Sequence, residues 1–336
     1  MHNTAPKITR RRFLRLILGT TAMGGLATLG GAGYATLVEP YWPAVKRVNV
    51  PLPGLPAHLD GFTITQLSDL HRGPVVTQED IGRAVALALE QEADLAVLTG
   101  DYVSSSAKYA PSCAQALAPL ASSSPLPSRE RPGQANSPLP PGEGLGQADS
   151  PLPLREGLGG GNSPLPPREG LGEGGALASL GNHDHWTDAD TVAGALSDAG
   201  LTVLRNAARE VADGLWIAAV DDVWEQRADL DQALADVPAS ATVVLLAHEP
   251  DYADTVAAGG RVSLQLSGHS HGGQIRVPFV GPLVLPRLAH KYPAGLYRVS
   301  RMWLYVNRGV GLVRPAVRFN CRPEVTLLKL QATDDF

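Results

Sequence analysis

The chain has 336 residues, of which 44% are hydrophobic and 18% are charged, so most of it can bury a core. The formal net charge is −5, but residues 1–37 hold five bases and no acid, so the remainder carries −10. A body this acidic is a poor candidate for nucleic-acid binding, and we expect no nucleic-acid partner. The two cysteines, Cys113 and Cys321, lack metal-site spacing, and the sequence leaves open whether they form a disulfide.

The N-terminus has the pattern of an export segment. In residues 9–15 a polar residue, paired arginines, a Phe-Leu pair and a further base precede an uncharged run over residues 16–38. This pattern resembles a twin-arginine translocation signal, which implies the translocase as a partner and a location on the periplasmic side of the cytoplasmic membrane, anchored or released. An ordinary membrane anchor is the alternative, because about 20 apolar residues span a bilayer. Residues 1–37 are therefore predicted to be a signal or an anchor, and residues 38–336 the functional domain.

Short apolar runs alternate with amphipathic stretches along this domain. The runs predict strands at residues 62–67, 94–99, 176–180, 215–220, 242–247 and 262–266, with shorter β segments at 295–299, 302–306 and 325–330. Helical periodicity predicts helices at residues 77–91, 107–120, 188–199 and 228–235. The alternation predicts one α/β domain with a strand-rich core.

Residues 121–175 interrupt the domain with a different composition. The sequence Ser-Pro-Leu-Pro recurs there four times, at Ser124, Ser137, Ser150 and Ser163. The stretch contains no aromatic or β-branched residue, and its many glycines and prolines would break any helix or strand. The insert is therefore predicted to be a disordered loop that leaves a helix near Leu120 and returns before the next strand.

Five polar blocks follow five of the predicted strands, at the point where each strand ends. They are Asp69-Leu70-His71, Gly100-Asp101, Gly181-Asn182-His183-Asp184, His248 and Gly268-His269-Ser270-His271. Five of the nine histidines fall in these blocks, and neutral imidazole is the commonest metal ligand among side chains. Sites in α/β sheets gather beyond the carboxyl ends of the strands. The blocks therefore predict a shared metal site.

The order and spacing of these blocks resemble the calcineurin-like metallophosphoesterase superfamily, and within it a group of exported or membrane-bound bacterial phosphoesterases. The resemblance covers about residues 44–120 and 176–330. It implies a four-layer α/β fold, an αββα sandwich in which two β-sheets are flanked by helices. It also implies that the protein hydrolyses an anionic phosphodiester or phosphomonoester with two divalent metal ions, and it leaves open whether the substrate is lipid-linked.

The resemblance also implies roles for individual residues. Asp101 would bridge the two ions. The remaining ligands would be Asp69, His71 and His271 for one ion, and Asn182, His248 and His269 for the other. Ligands of this kind without thiolate suit manganese, iron or zinc. His183 would be the catalytic residue near the leaving group, and Asp184 would orient it.

Two alternative functions stay open. One is cleavage of the pyrophosphate bond in a lipid-linked nucleotide sugar such as UDP-2,3-diacylglucosamine, although export argues against a substrate that is made in the cytoplasm. The other is a metal-binding module without turnover, although the intact His183-Asp184 pair argues against it.

Some polar residues near the blocks have less certain roles. Asp221 and Asp222 would be either solvated turn residues or neighbours of the site, whereas His185 is expected to be structural. Residues 287–329 hold nine bases and one acid. They predict a basic surface that faces anionic headgroups or guides the substrate, with a set of solvated strand-edge charges as the alternative.

Overall fold

The structure, a computed structural model, describes residues 29–122 and 175–333. Most of the predicted signal or anchor, residues 1–28, and nearly all of the predicted disordered insert, residues 123–174, lie outside the described residues. Within the part of the chain that is described, no helix is both long enough and apolar enough to cross a membrane.

Strands dominate the described chain. They are β1 (Ala44–Pro53), β2 (Thr63–Leu67), β3 (Leu95–Thr99), β4 (Ala176–Ser179), β5 (Thr202–Val203), β6 (Ala207–Ala212), β7 (Leu215–Ala219), β8 (Thr242–Leu246), β9 (Leu264–Ser267), β10 (Arg276–Val277), β11 (Gly281–Pro282), β12 (Gly295–Val299), β13 (Met302–Val306) and β14 (Glu324–Thr333). One six-stranded sheet has the order β1-β14-β2-β3-β4-β5, and the other has the order β12-β13-β9-β8-β7-β6. The β10–β11 pair forms a separate hairpin.

The helices are shorter and lie outside the two sheets. They are α1 (Gln78–Leu89), α2 (Ala110–Ser122), α3 (Asn182–Thr187), α4 (Ala189–Asp198), α5 (Leu230–Ala233) and α6 (Ala253–Gly259), preceded by helical residues 29–37. The start of α1 follows from its sequence, because Thr77 and Asp80 form a reciprocal capping box that satisfies free backbone amides. Its buried residues Ile81, Val85 and Ala88 recur at helical spacing and face the first sheet.

Alternate residues of the central strands divide the apolar core into three layers. In β3, Leu95 and Val97 pack between the two sheets, whereas Ala96 and Leu98 pack under α1 and α2. In β8 the same alternation places Val244 between the sheets and Val243 under α5 and α6. Because one face of each strand packs against helices and the other against the opposite sheet, both faces need apolar side chains, which explains the continuous apolar runs in the sequence. Three apolar layers separate four layers of secondary structure, and the predicted αββα sandwich is confirmed.

The sequence did not predict the long edge strand β1 or its pairing. β1 carries two exposed bases and two prolines, which fits an edge strand but weakens the strand signal. The C-terminal strand β14 lies between β1 and β2, parallel to the former and antiparallel to the latter. The first sheet is therefore mixed, and both ends of the domain join in one pair of strands.

The two ends of the insert meet in the fold. The backbone amide of Gly175 donates a hydrogen bond to the carbonyl of Ala121 at 3.1 Å. Gly175 precedes the amino end of β4, whereas Asn182 follows its carboxyl end. The insert is therefore attached at the edge of the sheet that lies opposite the predicted metal ligands.

Replacing residues 123–174 with a short Gly-Ser linker should leave the melting temperature and the turnover nearly unchanged. The ends already lie in hydrogen-bond contact, and the entropy of closing a loop changes only slowly with its length. Thermal melts and phosphoesterase assays on this variant, beside a variant with a Gly-Ser linker of the original length, test the expectation. A large loss of stability in both variants would mean that the native insert packs on the domain.

Candidate metal centre

The structure brings the five polar blocks together at one edge of the two sheets. β2, β3 and β4 run parallel in the first sheet, and β8 and β9 run parallel in the second, so their carboxyl ends converge. All seven predicted ligands are buried there, each no more than 5% exposed: Asp69, His71, Asp101, Asn182, His248, His269 and His271. The edge therefore concentrates carboxylate, imidazole and amide groups away from water.

One group of donor atoms has the spacing of a coordination shell. The Nε2 atoms of His71 and His271 lie 2.9 Å apart, and His271 Nε2 lies 3.4 Å from Asp69 Oδ1. His71 Nε2 also lies 3.4 Å from Asp101 Oδ2. Atoms that bind one ion at about 2.0–2.1 Å are separated by about 3 Å. Asp69, His71 and His271 could hold a metal ion together, and so could His71, Asp101 and His183.

A second group adjoins the first through Asp101. His248 Nε2 lies 3.1 Å from Asp101 Oδ2, and Asp101, His248 and His269 could hold a metal ion together. The buried Oδ1 of Asn182 has no hydrogen-bond partner among the described residues. Asp101 thus belongs to both groups, as expected of a residue that bridges two ions.

Backbone strain accompanies the ligands. Five of the seven have a positive φ between 48° and 68°: Asp69, His71, Asp101, His269 and His271. This region is uncommon for residues other than glycine and costs on the order of 1–3 kcal/mol at each position. Backbone hydrogen bonds hold the conformation, such as those from Asp69 N to Gly100 O at 3.0 Å and from His71 N to Asp101 O at 2.9 Å. The fold therefore fixes the directions of these side chains before any ligand binds.

Two backbone carbonyls select the tautomers of the histidines in the second group. Thr99 O lies 2.6 Å from His248 Nδ1, and Arg287 O lies 2.8 Å from His269 Nε2. A carbonyl oxygen can only accept a hydrogen bond, so in the neutral form of each ring the other nitrogen keeps the lone pair. Burial lowers the pKa of His248, but the charge of Asp101 opposes this and keeps the pKa well above its usual value.

The other rings are held neutral. Burial lowers the pKa of His71 to about 3, and it lowers the pKa of His269 to about 3 as well. Burial also places the pKa of His271 well below its usual value. In the same environment, burial raises the pKa of the Asp69 carboxyl to about 6. Near pH 7 these three imidazoles are therefore in the neutral form that binds metals.

Two glycines allow the blocks to approach each other. A Cβ atom at Gly181 would lie 2.5 Å from Asp101 Oδ1 and 2.9 Å from a ring carbon of His248. A Cβ atom at Gly268 would overlap the side chains of Ser68 and Asp69. Any larger residue at either position would displace predicted ligands.

His183 lies at the border of the buried cluster. Its backbone amide donates to Asp101 Oδ1 at 2.9 Å, and the centroid of its ring lies 4.7 Å from that of His71. The side chain is partly exposed, in contrast to the predicted ligands. Its Nδ1 lies 3.2 Å from the carbonyl oxygen of Ser104. His183 therefore occupies the open side of the site.

The role of Asp184 in orienting His183 stays a prediction, because the hydrogen bonds of Asp184 in the structure go to other groups. The buried carboxylate of Asp184 accepts hydrogen bonds from four backbone amides, those of Gly181, Asp101, Tyr102 and Val103. Asp184 is the third residue of α3, where an acidic side chain turns back to the start of the helix. The carbonyl of Ser104 is the group that contacts the ring of His183, whereas Asp184 fixes the backbone that carries Asp101.

Two tryptophan rings, which were not predicted from the sequence, lie beside the site. The ring of Trp186 lies 4.8 Å from that of His183 and 5.5 Å from that of Trp224, and Trp224 lies 5.7 Å from His269. Each tryptophan follows an acidic residue by two positions, Asp184 in one case and Asp222 in the other. A tryptophan two residues after an acidic residue, just beyond the end of a predicted strand, was the feature of the sequence that could have indicated these rings.

The neighbouring polar residues form a structural network. His185 Nε2 lies 2.6 Å from Asp221 Oδ1, and Arg205 Nε donates to Asp221 Oδ2 at 3.0 Å. The prediction that His185 is structural is confirmed. Asp221 and Asp222 are both buried, so they are not solvated turn residues, and Asp222 accepts a hydrogen bond from the amide of Glu225 at 2.6 Å.

The basic stretch at residues 287–329 does not form one continuous surface. Arg318 is fully buried and donates to backbone carbonyls, among them that of Gly311 at 2.7 Å. Lys291 is paired with the carboxylate of Asp254 at 2.7 Å. A membrane-facing or substrate-guiding role can therefore involve only part of the stretch, and it stays a prediction.

The αββα fold and the His/Asp cluster at its edge define a protein of the metal-dependent hydrolase type. No protein-family model matches the chain. It is 32% identical over 333 residues to YkuE of Bacillus subtilis, named as an uncharacterized metallophosphoesterase, with 98% of this chain and 99% of YkuE covered. It is 31% identical over 332 residues to the phosphodiesterase YaeI of Escherichia coli, with 96% and 99% covered. The chain belongs to the metallophosphoesterase family.

His269→Ala and His183→Ala should fail in different ways. Loss of the His269 imidazole removes a coordination bond, so bound metal and turnover should fall together, and excess manganese should restore part of both. His183→Ala should keep its metal and lose kcat on the order of 10²–10⁴-fold, because the group acts on the reacting phosphate. Metal analysis beside steady-state kinetics separates the two results. The exposed His58→Ala serves as the control that changes neither.

If His183→Ala is isolated without metal, or if it is fully active, the division of roles between His183 and His269 is wrong.

Asp184→Asn should lower the melting temperature and the metal affinity together. Several backbone N–H groups now donate to the two oxygens of the Asp184 carboxylate. Asparagine replaces one of these oxygens with an NH₂ group, which cannot accept a hydrogen bond, so at least one backbone N–H group loses its acceptor. Each unsatisfied buried donor costs about 1–3 kcal/mol. Thermal melts and manganese titrations measure both effects. A variant that keeps its stability and its metal affinity but loses kcat would instead restore the orienting role that the sequence suggested.

Proposed function

We propose that the protein is a binuclear metallophosphoesterase that hydrolyses phosphoester bonds. The observation that carries this proposal is the convergence of seven buried donor residues into two groups that both lie against Asp101. Asp69, His71 and His271 form one group, in which His71 Nε2 lies 3.4 Å from Asp101 Oδ2. Asp101, His248 and His269 form the other, and we assign the unpartnered amide oxygen of Asn182 to it. Family membership supports the same reaction class.

The donor set fits divalent transition metals. Imidazole, carboxylate and amide ligands without thiolate suit manganese, iron or zinc. The buried amide oxygen of Asn182 lacks a hydrogen-bond partner in the described chain, which is costly unless a cation takes that place. Two divalent ions against the two carboxylates, Asp69 and Asp101, would leave the site positive and attractive to an anionic phosphoester.

The residues around the ligands then have separate tasks in the reaction. Divalent ions bound here would polarise a phosphoryl oxygen and supply a nucleophile at neutral pH. The carbonyl of Ser104 accepts the Nδ1 proton of His183, so Nε2 of that ring is the atom available for proton exchange. In its protonated form, His183 would donate a proton to the oxygen of the leaving group. The rings of Trp186 and Trp224 would shield that side of the site and contact the leaving group.

Turnover of a simple phosphodiester tests the proposal directly. Purified protein, stripped with a chelator and reloaded with manganese, should release p-nitrophenol from bis-p-nitrophenyl phosphate. Asp101→Asn, which removes the shared ligand, should lose most of this activity and is the control for contaminating phosphatases. Metal binding without turnover for manganese, iron and zinc would favour the non-catalytic metal-binding module. A parallel assay with p-nitrophenyl phosphate distinguishes a diesterase from a monoesterase.

Export by the twin-arginine route is a further proposal, supported by residues 9–15 alone. On this account Arg10→Lys with Arg11→Lys should retain the protein in the cytoplasm, whereas Arg12→Lys should not. Cell fractionation and immunoblotting decide between export by this route and insertion as an ordinary anchor, which would not depend on the arginine pair.

A further inference from the structure

The β10–β11 hairpin presents apolar side chains to solvent. Phe279 is fully exposed, and Val280, Leu283 and Val284 are 71%, 57% and 76% exposed. Phe279 has a φ of 65°, a left-handed backbone conformation that is uncommon for a residue other than glycine. Contiguous exposed apolar groups of this kind mark an interaction surface rather than an ordinary protein surface. We refer to residues 276–284 as the apolar hairpin.

The apolar hairpin is fixed to the metal centre at both of its ends. It begins five residues after His271, and the chain that leaves it reaches Arg287, whose carbonyl contacts His269 Nε2 at 2.8 Å. Near its base, a Cβ atom on Gly273 would overlap Pro282, so the two arms lie in close contact. The hairpin therefore projects from the same edge of the sheets as the predicted ligands.

The N-terminal segment leaves the domain beside this hairpin. The amide of Arg318 donates to the carbonyl of Ala35 at 2.9 Å. The next residue, Phe319, exchanges backbone hydrogen bonds with both Gln274 and Arg276, each at 2.9 Å. Helical residues 29–37 and the base of the hairpin are thus neighbours of one short segment. In the sequence, the 28 residues before this helical segment contain most of the uncharged run.

The charges around the hairpin complement an anionic surface. Residues 272–290 contain Arg276 and Arg287 and no acid, although the chain after residue 37 carries a net charge of −10. The exposed Arg314 lies close to the hairpin base, because Gln274 Nε2 donates to the carbonyls of both Val313 and Pro315 at 3.1 Å. Exposed apolar residues flanked by bases, without acids, match the boundary between anionic headgroups and acyl chains.

We propose that the apolar hairpin docks the domain onto an anionic lipid bilayer, with Phe279 and Val280 in the headgroup–acyl boundary. The metal centre then opens toward the membrane surface, and helical residues 29–37 lie on the same side of the domain as the hairpin. The described ends of the insert, Ala121 and Gly175, lie at the opposite edge of the first sheet.

A single fluorescent probe can report the environment of the hairpin in the full-length chain. Both native cysteines, Cys113 and Cys321, are fully buried, so Phe279→Cys provides the exposed thiol for an environment-sensitive dye. Glu90→Cys is the matched control, since Glu90 is exposed at the end of α1 that leads to the amino end of β3, on the opposite edge. Unchanged melting temperatures confirm that both labelled variants are folded.

With vesicles of phosphatidylglycerol and phosphatidylcholine, the dye at position 279 should shift to the blue and brighten severalfold. Lipids with a quencher on the acyl chain should quench it, and salt or pure phosphatidylcholine should weaken the response. The dye at position 90 should stay in water even when the N-terminus holds the protein on the vesicle. A dye at position 279 that stays in water on vesicle-bound protein would overturn the proposal. So would a blue shift without vesicles that grows with protein concentration, because a second copy of the chain would then cover the hairpin.

Discussion

The fold must compensate the negative charge of two carboxylates, Asp69 and Asp101, which are buried where the edges of two β-sheets meet. Burying an unpaired charge costs several kcal/mol, so the surrounding groups must be arranged to offset it. Backbone amides supply part of the compensation: Asp69 accepts from the amide of His269, and Asp101 accepts from that of His183. Burial keeps the imidazoles of His71, His269 and His271 neutral, whereas Asp101 raises the pKa of His248, so only His248 among these four rings offsets the negative charge. Bound cations would balance the rest.

The same contacts tie the two sheets together. His248, which follows a strand of the second sheet, contacts the Thr99 carbonyl in the first, and the buried Gln66 of the first sheet donates to Ser267 O of the second at 3.0 Å. Because these cross-sheet hydrogen bonds lie among the predicted ligands, the geometry of the site and the packing of the sheets cannot vary independently. The left-handed backbone at five of the ligands shows the conformational cost that the fold carries for this geometry.

Much of this arrangement could be predicted from local sequence. Strands such as β3 and β8 are short apolar runs in the sequence, and each is followed by a block of polar residues. This pattern indicated the candidate ligands, and the family resemblance implied the αββα fold. The pairing of β14 with β1 is non-local and has no such signal. Backbone partners such as Ser104 O also leave no trace in side-chain identity, so the sequence did not indicate the contact between Ser104 and the ring of His183. The exposed apolar hairpin is visible only once burial is known, because its residues look like a core strand in sequence.

The central claim is that one buried cluster holds two metal ions through a shared Asp101. The most direct measurement is the metal stoichiometry of the wild-type protein after reconstitution with manganese and removal of unbound ions, determined by elemental analysis against protein concentration. We expect two ions per chain, and we expect that Asp101→Asn, which alters the carboxylate that lies 3.4 Å from His71 and 3.1 Å from His248, loses both rather than one. A wild-type protein that retains a single ion or none, or an Asp101→Asn variant that retains two, would contradict the claim.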